Sequence, residues 1–277
     1  MKQILIPIDF SENARKATVM AKQMADKTGA SLTFLYAYVP YIGDLTTPAS
    51  IPRMPTYQEE QAEARRSLSE YVTEALSEGF KAESVWATDG IYSSILRVAE
   101  EINADLIVVG RTGSGGFLDK LIGSSATRIA LDAPCPVLVV PMEVSPQEVK
   151  KIVYATQLDP SELDIATAVG SLSKSLEAEL SLIKIGGHGH DEPQEQVQIA
   201  QWAAAIDIPK EQVVVQSGNG EGVEKGIDHY CKDSGADLLV VSTRKRDFLE
   251  QLLYNPSLTK KLVVHTHIPL LVYHVAP

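Results

Sequence analysis

Apolar and polar positions fall along this chain in blocks. Short runs of branched apolar residues, such as Ile4-Leu5-Ile6 and Leu106-Ile107-Val108-Val109, read as strands buried on both faces. Between them run longer stretches with apolar residues at helical spacing. In the first half this predicts strands over 3–9, 31–38, 82–88, 105–110 and 136–140, with helices over 11–29, 56–78, 91–103 and 124–132. Strand and helix taken in turn argue for a parallel sheet with helical crossovers. Thr56-Tyr57-Gln58-Glu59 has the form of a capping box at the start of the second helix. The Pro-, Gly- and Thr-containing stretch 39–55 before it reads as a loop.

A short polar segment, 142–150, then precedes a second pass through the same order. Ile152 to Gln157 parallels Ile4 to Asp9, Ala236 to Val241 parallels Ala104 to Val109, and Pro269 to Tyr273 parallels Pro136 to Val140. Asp159-Pro160-Ser161-Glu162 gives a helix start with Pro at its first position. A repeat this long is a tandem domain duplication and not a solenoid. The chain length of 277 residues suits two domains. The expected fold is α/β: two doubly wound domains, 1–141 and 151–277, each a five-stranded, mostly parallel sheet with helices on both faces.

The candidate chemistry sits after the late strand of the first domain. Gly110 and Gly113 lie at its end, and nine residues later Gly123-Ser124-Ser125-Ala126-Thr127 opens a helix. Glycines let backbone N–H groups come close to an anion, and a helix start adds unpaired N–H groups and the positive dipole end. The spacing therefore suits nucleotide phosphates. It is not a P-loop, which needs four residues between glycines and then Lys-Ser/Thr. Nor is it the dinucleotide fingerprint, which follows the first strand.

The pattern G-x2-G-x9-G-S, the opening Ile4-Leu5-Ile6-Pro7-Ile8-Asp9-Phe10-Ser11 and the closing Pro134-Cys135-Pro136-Val137-Leu138-Val139-Val140-Pro141 together resemble the universal stress protein family. The resemblance is strong over 1–141 and weak over 150–275. It implies an adenine nucleotide alpha hydrolase-like fold whose two domains pack as a pseudo-dimer within one chain; whether the chain dimerises further is open. It also implies bound ATP, ADP or AMP, with Mg²⁺ as a companion. The site it implies comprises Pro7, Asp9, Ala37, Gly90, Val109, Gly110, Arg111, Gly113, Gly123, Ser124, Ser125 and Ala126.

Within that set Asp9 would meet ribose or adenine, although an Asp after a strand also caps the next helix, a role Ser11 can take. Ala37, between Tyr36 and Tyr38, would leave room for a base. Gly90 would lie beside the sugar, and a turn glycine explains it equally well. Gly110 and Gly113 would offer backbone donors, with Arg111 and Thr112 facing outward or over the phosphates. Gly123 to Ala126 would meet the phosphates at the helix start. Relatives often carry a hydroxyl where Ala126 stands.

The second copy departs at these places. Asp9 becomes Gln157, Gly110 and Gly113 become Ser242 and Lys245, and Gly123-Ser124 becomes Tyr254-Asn255, followed by Pro256. One nucleotide site, in the first domain, is the expectation.

Charge and composition narrow the partners. The net charge is −11 with no basic stripe, which excludes nucleic acid as the main partner. Cys135 and Cys231 fit neither a metal knuckle nor a disulfide framework, so a cytoplasmic setting is expected. No leader pattern or membrane-length apolar run stands out, so no membrane role is expected. His188 and His190, beside Asp191 and Glu192, read as a solvated turn, with zinc ligation as the alternative. No base and metal-holding carboxylate set of the kind hydrolysis needs is evident. The reading is a nucleotide-gated regulatory or stress-response protein with an unknown protein partner. Slow ATP hydrolysis, or a module whose second domain binds something else, is the alternative.

Overall fold

The computed structural model describes residues 1–39, 55–111, 125–144, 147–186, 193–216, 222–244 and 258–275. The first half gives β1 (Gln3–Pro7), α1 (Glu12–Thr28), β2 (Ser31–Ala37), α2 (Pro55–Ser77), β3 (Ala82–Ala87), α3 (Ile91–Glu101), β4 (Leu106–Arg111), α4 (Ser125–Asp132) and β5 (Val137–Pro141). The second gives β6 (Lys151–Ala155), a 3-10 turn at Pro160–Glu162, α5 (Leu163–Leu176), β7 (Glu179–Ile185), α6 (Pro193–Ile206), a 3-10 turn at Lys210–Gln212, β8 (Val213–Gln216), α7 (Val223–Ser234), β9 (Leu238–Thr243), α8 (Leu258–His265) and β10 (Leu270–His274).

Local chemistry accounts for these boundaries. Ser11 accepts the Ala14 N–H at 3.2 Å and so begins α1, and Gly29, at φ 71°, ends it in the left-handed conformation. Along α1 the buried positions Ala14, Ala17, Ala21 and Met24 form one stripe, and its alanines let the helix lie close on the sheet.

The strands form one sheet in the order β3-β2-β1-β4-β5-β10-β9-β6-β7-β8. Pairing is parallel within each half, and β5 meets β10 antiparallel, with Leu138 opposite Leu271. Strand and helix positions agree with the sequence within a few residues; continuity of the sheet through both halves is the added feature. One face is covered by α1, α2, α5 and α6, the other by α3, α4, α7 and α8. Strands covered on both faces bury nearly every side chain, hence the unbroken apolar runs.

Candidate functional site

In each half the strand order reverses beside the first strand, between β1 and β4 and between β6 and β9. Open parallel sheets bind ligands at such a reversal, outside the carboxyl ends of the strands. In the first half these ends bring together Pro7 and Asp9 after β1, Ala37 at the end of β2, and Val109, Gly110 and Arg111 at the end of β4. Gly90 starts α3 on the same edge, and the first turn of α4 holds Ser125 and Ala126. Gly113, Gly123 and Ser124 lie outside the described residues, as do Thr112, Lys245, Tyr254, Asn255, Pro256, His188 and His190. Among the described residues no group of three metal-ligating side chains occurs.

The half-buried Asp9 takes one local bond: its Oδ1 accepts the Ser11 N–H at 3.0 Å. Ser11 is the helix cap, so the Asp9 bond only shapes the turn, and its other oxygen has no partner among the described residues. Phe10 between them adopts φ 62° and stacks on Tyr36 with ring centroids 4.6 Å apart. Burial, and after it the Asp9 charge, pushes the Tyr36 phenol above its ordinary range. From Tyr36 the aromatic row continues through Trp86 to Tyr38.

Ala37 lies opposite Ala87 of β3, two methyl groups at the edge that faces α3. Gly90 stands at φ 91°, a conformation that favours glycine, so the turn alone accounts for it. Gly110 has a different reason. A Cβ there would lie 2.6 Å from the Asn13 backbone oxygen, so α1 packs directly on this strand end. Packing alone thus asks for glycine at this position, besides any approach of an anion. The Arg111 side chain, expected to face outward or over the phosphates, reaches α8. It donates to the Val263 carbonyl of α8 at 3.1 Å and pairs with Glu143 at 3.2 Å.

Three polar atoms belong to this edge, of which the sequence reading singled out only the residue Thr127. Asn13 Oδ1, Ser94 Oγ and Thr127 Oγ1 are buried without hydrogen-bond partners among the described residues. They sit in the first turns of α1, α3 and α4, the helices that begin around the crevice. Buried polar atoms normally find partners, so these three stand out, each enclosed by the protein. Ser94 could have been noticed as a polar residue among the apolar positions of α3; Asn13 and Thr127 look like ordinary first-turn residues.

The second half carries more bulk at the equivalent places. Ile185 stands where Ala37 does, and Ser242 where Gly110 does. Gly222, at φ 90°, repeats the Gly90 turn.

The family model "Universal stress protein family" matches residues 1–141 and again 156–274. A universal stress protein of Thermus aquaticus is 33% identical over 143 residues, covering 50% of this chain and 98% of its own. The solved structure of a universal stress protein from Archaeoglobus fulgidus covers 99% of this chain and 96% of its own, at 20% identity and TM-score 0.74. A universal stress protein solved in complex with cAMP covers 50% of this chain and 96% of its own, at 24% identity and TM-score 0.37.

Proposed function

Because this chain belongs to the universal stress protein family, we propose that its first half holds one adenine nucleotide, ATP before ADP or AMP, in the crevice between β1 and β4, and that occupancy gates a regulatory role in the stress response. The observation that carries this reading is the contrast between the two crevices. The first has Ala37 opposite Ala87 with Asp9 after β1 and Gly110 at the end of β4, whereas the second has Ile185 opposite Gln216 with Gln157 and Ser242 in the matching places. A base would lie against Ala37, Asp9 would accept from ribose or base, and the phosphates would meet the glycines and the positive end of α4. Bound Mg²⁺ would neutralise phosphate charge, carried in with the nucleotide. No catalytic residue is assigned.

The test is calorimetric titration of the nucleotide-stripped protein with ATP and Mg²⁺, with released phosphate followed in parallel. One site per chain without sustained turnover is the expected result. Turnover would make the protein an ATPase, and absence of binding would leave an interaction module. Gly123→Val should remove binding, since its side chain blocks phosphate approach, while the thermal midpoint stays near that of the parent. Unchanged ATP affinity in this variant would overturn the cradle.

A further inference from the structure

In the second half a carboxylate of the chain itself sits at the ends of β6 and β9. Sheet register sets Ser242 opposite Tyr273 as Gly110 is opposite Val140, and Thr156-Gln157 follows β6 as Ile8-Asp9 follows β1. Three equivalent positions differ as a group between the halves: Ile8 against Thr156, Ala14 against Glu162, and Gly110 against Ser242. Their side chains meet in the second half. Glu162 Oε2 accepts the Thr156 hydroxyl at 2.6 Å and the Gln157 backbone N–H at 3.1 Å, and Glu162 Oε1 accepts the Ser242 hydroxyl. The Thr156 hydroxyl in turn accepts the Leu158 N–H at 2.9 Å.

This carboxylate is buried, with Glu162 only 5% exposed. Taking a carboxylate out of water is costly unless donors replace it, and charge-assisted bonds are the strong ones. Here three donors converge from the ends of β6 and β9, the two strands that flank the reversal. Arg244 closes the turn that carries Glu162, bonding the Ser161 hydroxyl and the Asp159 carboxylate at 2.8 Å each. On the opposite face of the sheet, Ile185, at the position of Ala37, packs on Gly226 of α7; a Cβ on that glycine would lie 3.0 Å from the isoleucine.

We propose that the crevice between β6 and β9 is a carboxylate-binding site whose ligand is the chain's own Glu162, so that the second half is permanently filled. Its ligand class is a small carboxylate, because two hydroxyls and one N–H surround a single carboxyl group. This holds whether or not the first half binds nucleotide.

Emptying the site tests it. Glu162→Ala should lower the thermal midpoint by roughly 3–10 °C. Formate or acetate should restore it saturably, compared with chloride at the same ionic strength. Neither the parent protein nor the double variant Glu162→Ala/Ser242→Ala should respond in that way. An unchanged midpoint in Glu162→Ala, or equal recovery in chloride, would overturn the proposal. Should Glu162→Ala not fold even in acetate, Ser242→Ala and Thr156→Val in the parent chain decide. Each removes one donor and should lower the midpoint, and two unshifted midpoints would sink the idea.

Discussion

At the scale of single residues, Gly110 shows how packing and binding can ask for the same amino acid. Its missing side chain lets the Asn13 backbone close on the end of β4, and a bound anion could use the same bare backbone. Gly110→Ala should therefore cost about 1–3 kcal/mol in a denaturant titration, as overpacking does, along with any loss of ligand. The second half carries Ser242 there, and its hydroxyl donates to Glu162 at the end of the 3-10 turn Pro160–Glu162. Tyr38 makes a separate prediction. Burial first, then the nearby Glu60, pushes its phenol up to about 12 from 10.0. The folded form thus holds this proton more tightly than the unfolded chain. The contribution is complete below pH 10 and is lost as pH rises through about 12. Thermal midpoints measured across that window should fall, and Tyr38→Phe should flatten part of the fall.

At the scale of elements, two helix ends are held across the middle of the molecule in a reciprocal way. Arg111, from the end of β4, donates to the Val263 carbonyl in the last turn of α8. His274, from the end of β10, reaches the Ala130 carbonyl in the last turn of α4 at 3.0 Å through Nε2, which must donate because a carbonyl only accepts. Basic groups suit the negative end of a helix and satisfy its unpaired carbonyls. His274→Ala should lose about 1 kcal/mol in urea unfolding, and His274→Gln, which keeps a donor, should retain most of it. Neither contact was legible in the sequence, because both join residues far apart along the chain.

What was legible is local. Strands covered on both faces need continuous apolar runs, and helices need caps and stripes, so their positions followed from pattern alone. The pairing of β5 with β10 left no such trace, since Val137 to Val140 and Leu270 to Val272 look like any central strand. Glu162 was hidden for another reason: an acidic residue beside a helix start ordinarily complements the dipole in water. Only its contacts reveal it as a buried ligand of Thr156 and Ser242. Of the candidate site, the motif made Asp9 and Gly110 legible as strand-end residues, whereas the packing of Asn13 on Gly110 joins residues far apart along the chain and left no local sign.

At the scale of the molecule, the seam between β5 and β10 is core. Leu138, Val139, Leu270 and Leu271 are at most 2% exposed, and apolar clusters run through both halves on either face. The described residues should therefore unfold in one cooperative transition, with calorimetric and van't Hoff enthalpies in agreement; two resolved transitions would show that the halves melt separately. A chain cut after Lys150 would leave the β5 edge open, and size-exclusion chromatography should show it self-associated, because an apolar edge strand pairs with whatever strand it meets.

The antiparallel join has one more consequence, at the level of supply. Two separate polypeptides held along such an edge part when diluted, and identical ones would combine like with like as readily as unlike. A covalent link sets the local concentration of each half around the other on the order of millimolar. Every molecule made thus carries one of each kind, in a ratio that neither expression level nor dilution alters.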